Sequence, residues 1–149
     1  MLRRILVAAL LAAATISITP ASAVVPHSSW RWDTCRFRNL HAADDGFSRR
    51  EIILTIRCAV WHFPVIGGPT RAVDVADCES GLNPYAVNPN GHYGLYQDSP
   101  GLWAGLLAQS SVLVRHWNLS RNVFNARSNA VLNVEYAHGN GWGAWAACA

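Results

Sequence analysis

The chain has 149 residues, of which 51% are hydrophobic and 14% are charged, with a formal net charge of +3. This hydrophobicity excludes an intrinsically disordered protein, because disorder requires few apolar residues and a high net charge. The length suits one ordinary domain rather than two. The basic residues are scattered along the chain without a cluster, which argues against a protein that binds nucleic-acid phosphates.

The first 23 residues have the features of a secretory signal. Two arginines precede an apolar run over residues 5–18, which is short for a membrane span. Ala21 and Ala23 supply the small residues that signal peptidase requires at the −3 and −1 positions. We therefore expect cleavage after Ala23, leaving residues 24–149 as a soluble secreted protein. The alternative is an N-terminal membrane anchor.

The four cysteines contain no CxxC pair, which argues against a structural zinc site. An even number of cysteines in a secreted chain predicts two disulfides, and the count alone leaves three connectivities open. The six histidines lack the HxxxH and HExxH spacings of metal ligands. We expect neither a metal nor a cofactor.

Residues 24–47 form a polar N-terminal segment, which we call the lead, without a clear hydrophobic periodicity. A first helix begins after it. Ser48 and Glu51 form a capping box, in which each side chain accepts a hydrogen bond from a free backbone N–H group. Apolar residues then follow at helical spacing until Pro64. Leu54, Cys58 and Trp61 form a second apolar stripe on this helix. We expect the lead to pack over that stripe and to cover Trp61.

A second helix is predicted from about Arg71 to Ser80, capped by Thr70 and ended by Gly81. Glu79 shares the face of this helix that carries Ala72, Val75 and Ala76. A carboxylate on an apolar face in the last helical turn is disfavoured by desolvation and by the helix dipole, so its pKa should rise. A general acid requires this environment. The alternative is a partly exposed glutamate with no chemical role.

The rest of the chain predicts a small β element and two further helices. Asn90–Gly91 is a hairpin-turn signal, and Ser99–Pro100 begins a third helix with leucines at positions 102, 106 and 113. Asn125 caps a fourth helix, residues 126–138, which carries a polar-aromatic stripe. The stripe consists of Asn129, Asn133 and Tyr136.

Three segments of the chain carry a resemblance to a known family. Residues 78–97, CESGLNPYAVNPNGHYGLYQ, resemble the signature of bacterial lytic transglycosylases and goose-type-lysozyme-like domains. Residues 141–148, GWGAWAAC, are similar to the end of transglycosylase-like domains of the resuscitation-promoting-factor type. Residues 124–130, FNARSNA, are similar to the stretch that leads into the last core helix of the family.

The resemblance covers residues 48–148 and implies a mostly helical (α+β) lysozyme-like fold, stabilised by disulfides, in one domain over residues 48–149. It also implies cleavage of the β-1,4 bond between N-acetylmuramic acid and N-acetylglucosamine in peptidoglycan. Glu79 occupies the position of the general acid of the family. Resuscitation-factor-like domains join the cysteine before this glutamate to the one near the C-terminus, which implies Cys78–Cys148 and leaves Cys35–Cys58.

The resemblance further implies a set of substrate-binding residues around Glu79. Amide side chains suit sugar hydroxyls and acetamides, and aromatic rings suit the flat faces of sugars. Gln97 should point into the groove, Gly94 should let the backbone approach the substrate, and Asn129 should lie behind Glu79. Asn88 should hold the turn or a sugar. The candidate stacking surfaces are Tyr93, Tyr96 and Trp142, each of which could instead pack in the core.

The choice between transglycosylation and hydrolysis depends on a second carboxylate. An inverting hydrolase needs one to activate water, and the acids after Glu79 are Asp98 and Glu135. The family has no fixed acid at position 98, where a solvated or capping role is the alternative, and Glu135 lies off the polar stripe. We therefore favour a monomeric, secreted lytic transglycosylase that acts on peptidoglycan strands in the cell wall. The alternatives are a muramidase that uses Asp98 as its base and an inactive wall-binding protein of the same fold.

Overall fold

The computed structural model describes residues 30–37 and 48–149 of the chain. The predicted signal sequence and most of the predicted lead lie outside these residues. The described part is mostly helical with little strand, in agreement with the predicted mostly α class. In residues 30–37 and 48–149, no helix has both the length and the apolar character needed to cross a membrane.

Five α-helices and one small antiparallel sheet make up the regular structure described. The helices are α1 (Arg49–His62), α2 (Gly68–Ser80), α3 (Pro100–Gln109), α4 (Ser111–His116) and α5 (Ala126–Asn140). The strands β1 (Trp30–Arg31) and β2 (Arg36–Phe37) pair with each other around a 3-10 turn, Trp32–Thr34. A second 3-10 turn, Gly143–Trp145, follows α5.

Three of these helices begin at the caps that the sequence predicts. In each, a side-chain oxygen just before the helix accepts a hydrogen bond from a backbone N–H group of the first turn, which would otherwise be unpaired. The bonds run from Glu51 N–H to Ser48 Oγ (3.3 Å), from Leu102 N–H to Ser99 Oγ (3.2 Å) and from Ser128 N–H to Asn125 Oδ1 (3.0 Å). Glu51 Oε2 completes the capping box, since it accepts from Ser48 N–H at 2.8 Å.

Helix α2 begins earlier than predicted, at Gly68 rather than Arg71, so Thr70 is not its cap. Gly67 precedes the helix with a φ of +80°, and a Cβ atom there would lie 2.6 Å from Arg71 Cβ. Position 67 therefore requires glycine. Pro69 then supplies a φ suited to the first turn, since its missing N–H group needs no partner there. The helix ends at Gly81 in the left-handed conformation, as predicted.

The predicted third helix is divided in two at Ser110. Its first part, α3, ends at Gln109, and the short helix α4 follows. Ser110 is buried, and its Oγ donates a hydrogen bond to Glu135 Oε2 of α5 at 2.7 Å. The break therefore lies where a polar side chain anchors the α3–α4 pair to α5.

Helix α5 lies at the centre of the described core. Its residues are buried around most of its circumference, including the polar Asn129 and Asn133, both 0% exposed. Helix α1 packs chiefly on α5 and α2, and α3 packs on α5. Because Asn129 and Asn133 lie on buried parts of α5, their amide groups need partners within the protein.

Two disulfides fix segments distant in sequence to this helical core. Cys35 bonds to Cys58 of α1, and Cys78 of α2 bonds to Cys148 near the C-terminus. This is the pairing that the resemblance implies. In the chain-entropy model, a loop of 70 residues, as closed by Cys78–Cys148, contributes about 4 kcal/mol.

The lead contacts the core at two described points, but it does not cover Trp61. Cys35 and Cys58 are buried, whereas Trp61 is 69% exposed, so the prediction that the lead covers Trp61 is wrong. The lead attaches at Cys58, one helical turn before Trp61. The guanidinium of Arg127, on α5, donates to the Thr34 carbonyl from Nη2 at 2.7 Å. Burial, and secondarily the charge of Arg36, lower the pKa of Arg127 to about 10.

Candidate active site

Glu79 lies in the last turn of α2, where one face of the helix meets the core. Ala72, Val75 and Ala76 on that face are 0% exposed, and Glu79 is half-buried at its end. Gly81 then turns the chain, its N–H group bonding to Asp77 O at 2.7 Å. The helix therefore presents a carboxyl group between the apolar core and solvent.

The electrostatic environment of Glu79 follows from this position. Burial raises the pKa of Glu79, and the charge of His92 offsets part of the rise. This upward shift of the Glu79 pKa agrees with the prediction made from the apolar face of the helix. On the other side of α2, Asp74 is exposed, and Asp77 forms an ion pair with Arg49 at 2.7 Å. These two carboxylates thus lie away from the apolar face that carries Glu79.

We call residues 82–98, which follow Glu79, the site loop. Asn88 holds its turn: Oδ1 accepts hydrogen bonds from Asn90 N–H at 2.9 Å and His92 N–H at 3.1 Å. The backbone of Asn88 also donates to the His92 carbonyl at 3.1 Å. Of the two roles considered for Asn88, this geometry supports holding the turn. It also fixes the backbone of His92, the residue whose charge acts on Glu79.

The Gln97 side chain is bonded to the backbone of the site loop itself. Its Nε2 donates to the carbonyls of Gly94 at 2.9 Å and Ala86 at 3.2 Å. Gln97 is 8% exposed and has a left-handed backbone with φ +52°. The amide nitrogen of Gln97 therefore ties two turns of the site loop together, and the prediction that Gln97 points into a substrate groove stays a prediction.

Gly94 admits a close approach by the protein rather than by a substrate. The residue is buried with φ +78°, and a Cβ atom there would lie 2.8 Å from both Asn129 Nδ2 and the Val123 carbonyl oxygen. The expectation of a substrate approach at Gly94 is therefore corrected: the space beside its Cα is filled by α5 and the segment before it.

Tyr96 is also a structural residue rather than a stacking surface. It is 0% exposed, and its hydroxyl group donates to the Ala72 carbonyl at 2.9 Å. Burial, and secondarily the charge of Asp98, raise its pKa. The prediction that Tyr96 stacks on a sugar is wrong, because no face of the ring reaches solvent.

Trp142 joins Tyr96 in an aromatic cluster below the site loop. Its ring stacks on Tyr96 with centroids 6.2 Å apart and planes at 14°, and only 8% of the residue is exposed. Trp145 contacts both rings edge-on, with centroid distances of 5.6 Å to Tyr96 and 5.5 Å to Trp142. The predicted stacking role of Trp142 is corrected in the same way, since the residue is buried and its ring packs on Tyr96 and Trp145.

Asn129 lies on α5 beneath the site loop and is fully buried. Its Oδ1 accepts from Tyr96 N–H at 3.2 Å, and its Nδ2 donates to Asp98 Oδ2 at 2.7 Å. Direct contact with a substrate is therefore excluded for Asn129 in this conformation. Its role is to connect the site loop to α5.

Tyr93 is the predicted stacking residue that retains partial exposure. Its ring contacts Phe124 edge-on at 5.8 Å, and Phe124 in turn stacks on Tyr85 at 6.4 Å. Tyr85 is 46% exposed. No sequence signal singles out Tyr85 or Phe124, although Tyr85 lies inside the motif. This aromatic row offers the flat apolar faces that sugar rings contact.

Among the site residues, Asp98 has the setting that differs most from its prediction. The sequence predicts a solvated or capping carboxylate, or a catalytic base. It is 0% exposed and pairs with Tyr93 through two backbone hydrogen bonds, of 3.0 and 2.9 Å. Its Oδ2 accepts from the amides of Asn129 at 2.7 Å and Asn133 at 2.9 Å. Burial raises the pKa of Asp98 to about 6, while these amide bonds oppose the rise and the charge of Glu79 adds to it. The helical spacing of α5 identifies both asparagines, but it does not identify Asp98 as their partner.

Within the part of the chain that the structure describes, one cluster of potential metal ligands occurs, formed by Cys35, Cys58 and His62. The ligand atoms lie within 4.8 Å of one another. The two sulfur atoms are bonded to each other, however, so neither is a thiolate able to bind a metal.

Comparisons of the chain with protein-family models, with curated proteins and with solved structures gave no match.

Proposed function

We propose that the protein is a secreted lytic transglycosylase that cleaves the bond between N-acetylmuramic acid and N-acetylglucosamine in peptidoglycan. The observation that carries the proposal is the setting of Glu79. It lies at the end of a buried helix face, remains half-exposed and has a pKa raised by burial. A general acid must combine access to the substrate with a proton retained near neutral pH.

The proposed reaction uses Glu79 twice. The glycosidic oxygen is a poor leaving group until it is protonated, so Glu79 first donates its proton to that oxygen as the bond to C1 breaks. The carboxylate then removes the proton of the sugar 6-hydroxyl, whose oxygen bonds to C1. The product is a 1,6-anhydro sugar, and Glu79 regains its proton.

The environment of Asp98 favours this reaction over hydrolysis. An inverting hydrolase requires a second carboxylate about 6.5–9.5 Å from the acid, with room for an attacking water. Asp98 is 0% exposed, and its Oδ2 is held by two asparagine amides. A buried carboxylate of this kind is poorly placed to activate water in a groove. A muramidase with Asp98 as its base is therefore less well supported than a transglycosylase, and it is the second candidate.

The two disulfides support a location outside the cytoplasm, because disulfides persist in oxidising compartments. We propose that the protein acts as a monomer on glycan strands of the cell wall, without a cofactor. The row formed by Tyr85, Phe124 and Tyr93 supports contact with sugar rings beside the site loop.

Digestion of purified peptidoglycan, followed by mass spectrometry of the fragments, tests the proposal. We expect muropeptides that end in 1,6-anhydro sugars. Reducing ends would instead support the muramidase. A complete absence of fragments would contradict both enzymes and support a wall-binding protein of the same fold.

The variant Glu79→Gln tests the residue assignment. We expect a loss of cleavage of about a thousandfold, since the amide cannot donate the proton, with an unchanged melting temperature. Asp74→Asn is the matched control, because Asp74 is exposed on the opposite side of the same helix. It should retain full activity. Cleavage that persists in Glu79→Gln would overturn the assignment.

A further inference from the structure

Asp98 and Asn133 contain two buried oxygen atoms that have no hydrogen-bond partner. They are Asp98 Oδ1 and Asn133 Oδ1, which stand unpaired among the residues that the structure describes. Both side chains are 0% exposed, so bulk water does not solvate these atoms. A buried acceptor without a donor costs about 1–3 kcal/mol, so each of the two oxygen atoms needs a hydrogen-bond donor.

The two unpaired oxygens belong to groups that are already bonded to each other. Asn133 Nδ2 donates to the other carboxyl oxygen, Asp98 Oδ2, at 2.9 Å. Asn133 Nδ2 also donates to the Asn129 carbonyl, which holds the amide in place along α5. An amide and a protonated carboxyl group can form two parallel hydrogen bonds, one in each direction. The second of these bonds would pair both unpartnered oxygens at once, using a single proton.

We propose that Asp98 is protonated on Oδ1 and donates to Asn133 Oδ1 at mildly acidic pH, and that loss of this proton makes Asp98 a positioning residue that acts on Glu79 through its charge. The second half of the proposal rests on the proposed function, whereas the first half concerns the folded protein alone.

The surroundings of Asp98 favour the protonated form. Burial raises its pKa to about 6, whereas the Asn133 and Asn129 amides oppose this and Glu79 adds to it. Among the described residues, the titratable groups that interact with Asp98 are Glu79 of α2 and Tyr96 of the site loop. Helix α5 contacts it through two uncharged amides. No cation is among these groups to compensate a buried negative charge.

Ionisation of Asp98 changes the charge that acts on Glu79. Because electrostatic coupling between two titratable groups is mutual, a charged Asp98 raises the pKa of Glu79, as Glu79 raises that of Asp98. The ionisation of each carboxyl group therefore opposes that of the other. Asp98 contacts no substrate, so its effect on cleavage passes through Glu79.

The same proton links pH to stability. The pKa of Asp98 is about 6 in the folded protein, against an ordinary value of 3.8. A raised pKa means that the folded state binds the proton more tightly than the unfolded state. The stabilisation is complete below about pH 4 and is lost as the pH rises to about 6. This group alone should increase the unfolding equilibrium constant about thirtyfold between pH 4 and pH 6.

Asp98→Asn tests the proton pair, because an amide N–H group replaces the carboxyl O–H group in the same shape. We expect the unfolding constant of this variant to lack the rise of about thirtyfold between pH 4 and pH 6. Glu135→Gln is the matched control: it removes an acid of α5 that bonds to Ser110, and it should retain the rise. Parallel pH curves for the wild-type protein and Asp98→Asn would overturn the proposal.

Carbon-13 NMR of the wild-type carboxyl groups provides a test that needs no variant to fold. The Asp98 carboxyl carbon should titrate with a midpoint near pH 6. A midpoint below pH 4 would overturn the proposal. A bound monovalent cation is the competing explanation, and it would make stability at pH 5 higher in sodium chloride than in choline chloride. That result would also contradict a shared proton.

The pH profile of cleavage tests the positioning role. The upper limb of the profile should move to lower pH in Asp98→Asn, because the variant lacks the charge that is coupled to Glu79. A uniform loss at every pH would indicate a structural role only and would contradict positioning. If the wild-type protein cleaves nothing, the proposed function fails, while NMR and stability still decide the proton pair.

Discussion

The site loop, residues 82–98, and the C-terminal segment, residues 141–148, both adjoin the end of α2, but different interactions hold them in place. Short-range polar bonds dominate in the site loop, such as those that Asn88 Oδ1 accepts from Asn90 and His92. The C-terminal segment is held by aromatic side chains and a disulfide that reach distant parts of the chain. Trp145 Nε1 donates to the Tyr96 carbonyl, and Cys148 is bonded to Cys78.

This difference separates two requirements of the site. The site loop must adopt a specific backbone path, including left-handed residues such as Gly94 and Gln97, so that His92 and Asp98 interact with Glu79. Local hydrogen bonds define such a path at modest energetic cost. The C-terminal segment instead supplies buried apolar surface and cross-links, which stabilise the site loop from below. Substitutions in the two regions should therefore differ in their effects.

The largest expected effect in the site loop is that of Gly94→Ala. The methyl group would overlap Asn129 Nδ2 and the Val123 carbonyl, each 2.8 Å away, and the backbone has φ +78°. We expect destabilisation of about 3 kcal/mol, measured by urea unfolding. Gly91→Ala is the matched control, because φ there is +76° but the nearest atom, Tyr93 Oη, lies 3.6 Å away. It should cost about 1 kcal/mol.

Equal losses for Gly94→Ala and Gly91→Ala would contradict this prediction. The backbone conformation alone would then account for both glycines. The close approach between Gly94 and α5 would not contribute to stability, and the site loop would depend less on α5 than its contacts indicate.

In the C-terminal segment, Trp145→Phe should cost about 2 kcal/mol. The change removes the bond from Nε1 to the Tyr96 carbonyl, 2.7 Å long and buried, and leaves that oxygen unpaired. Trp142→Phe is the matched control. The Trp142 indole donates to the carbonyl of Ile66, a residue that is 79% exposed, so water can replace the lost bond.

Thermal unfolding of the two tryptophan variants measures this difference, and Trp142→Phe should lose about 1 kcal/mol. If Trp142→Phe were the more damaging change, the stabilisation would come from the stacking of Trp142 on Tyr96 rather than from the indole hydrogen bonds. The division between polar and aromatic stabilisation would then need revision.

Much of the helical framework could be predicted because its signals are local. The capping side chains of Ser48, Ser99 and Asn125 act within one turn of each helix, and Gly81 ends α2 where the sequence indicates. The start of α2 was missed because it depends on Gly67, whose conformation is set by a close approach to Arg71. Spacing between residues carries no information about such an approach.

The site was less predictable because a motif identifies residues but not the direction of their side chains. Glu79 could be placed from the apolar residues that share its helix face, and the direction of its pKa shift followed. Tyr96 and Trp142 are buried by each other and by Trp145, a contact between segments far apart in the chain. Periodicity similarly identified the polar stripe on α5, but the buried partner, Asp98, lies outside that helix.

The smallest expected effect is that of replacing Asn88, which holds a turn of the site loop. Asn88→Ala removes the acceptor for two backbone N–H groups, those of Asn90 and His92, and should cost about 1 kcal/mol because the turn is near solvent. Asn88→Asp keeps an acceptor of the same shape and should retain the stability of the wild-type protein. Asn83→Ala is the matched control, since Asn83 Oδ1 accepts from Tyr85 N–H in a separate turn.

Both alanine variants should unfold at similar denaturant concentrations, but only Asn88→Ala should alter Glu79. The Asn88 amide fixes the backbone of His92, and the charge of His92 lowers the pKa of Glu79. Releasing His92 should therefore raise the pKa of Glu79, which carboxyl carbon-13 NMR measures directly. An unchanged Glu79 titration in Asn88→Ala would mean that His92 keeps its place without the turn, and that other contacts of the site loop position the residues around Glu79.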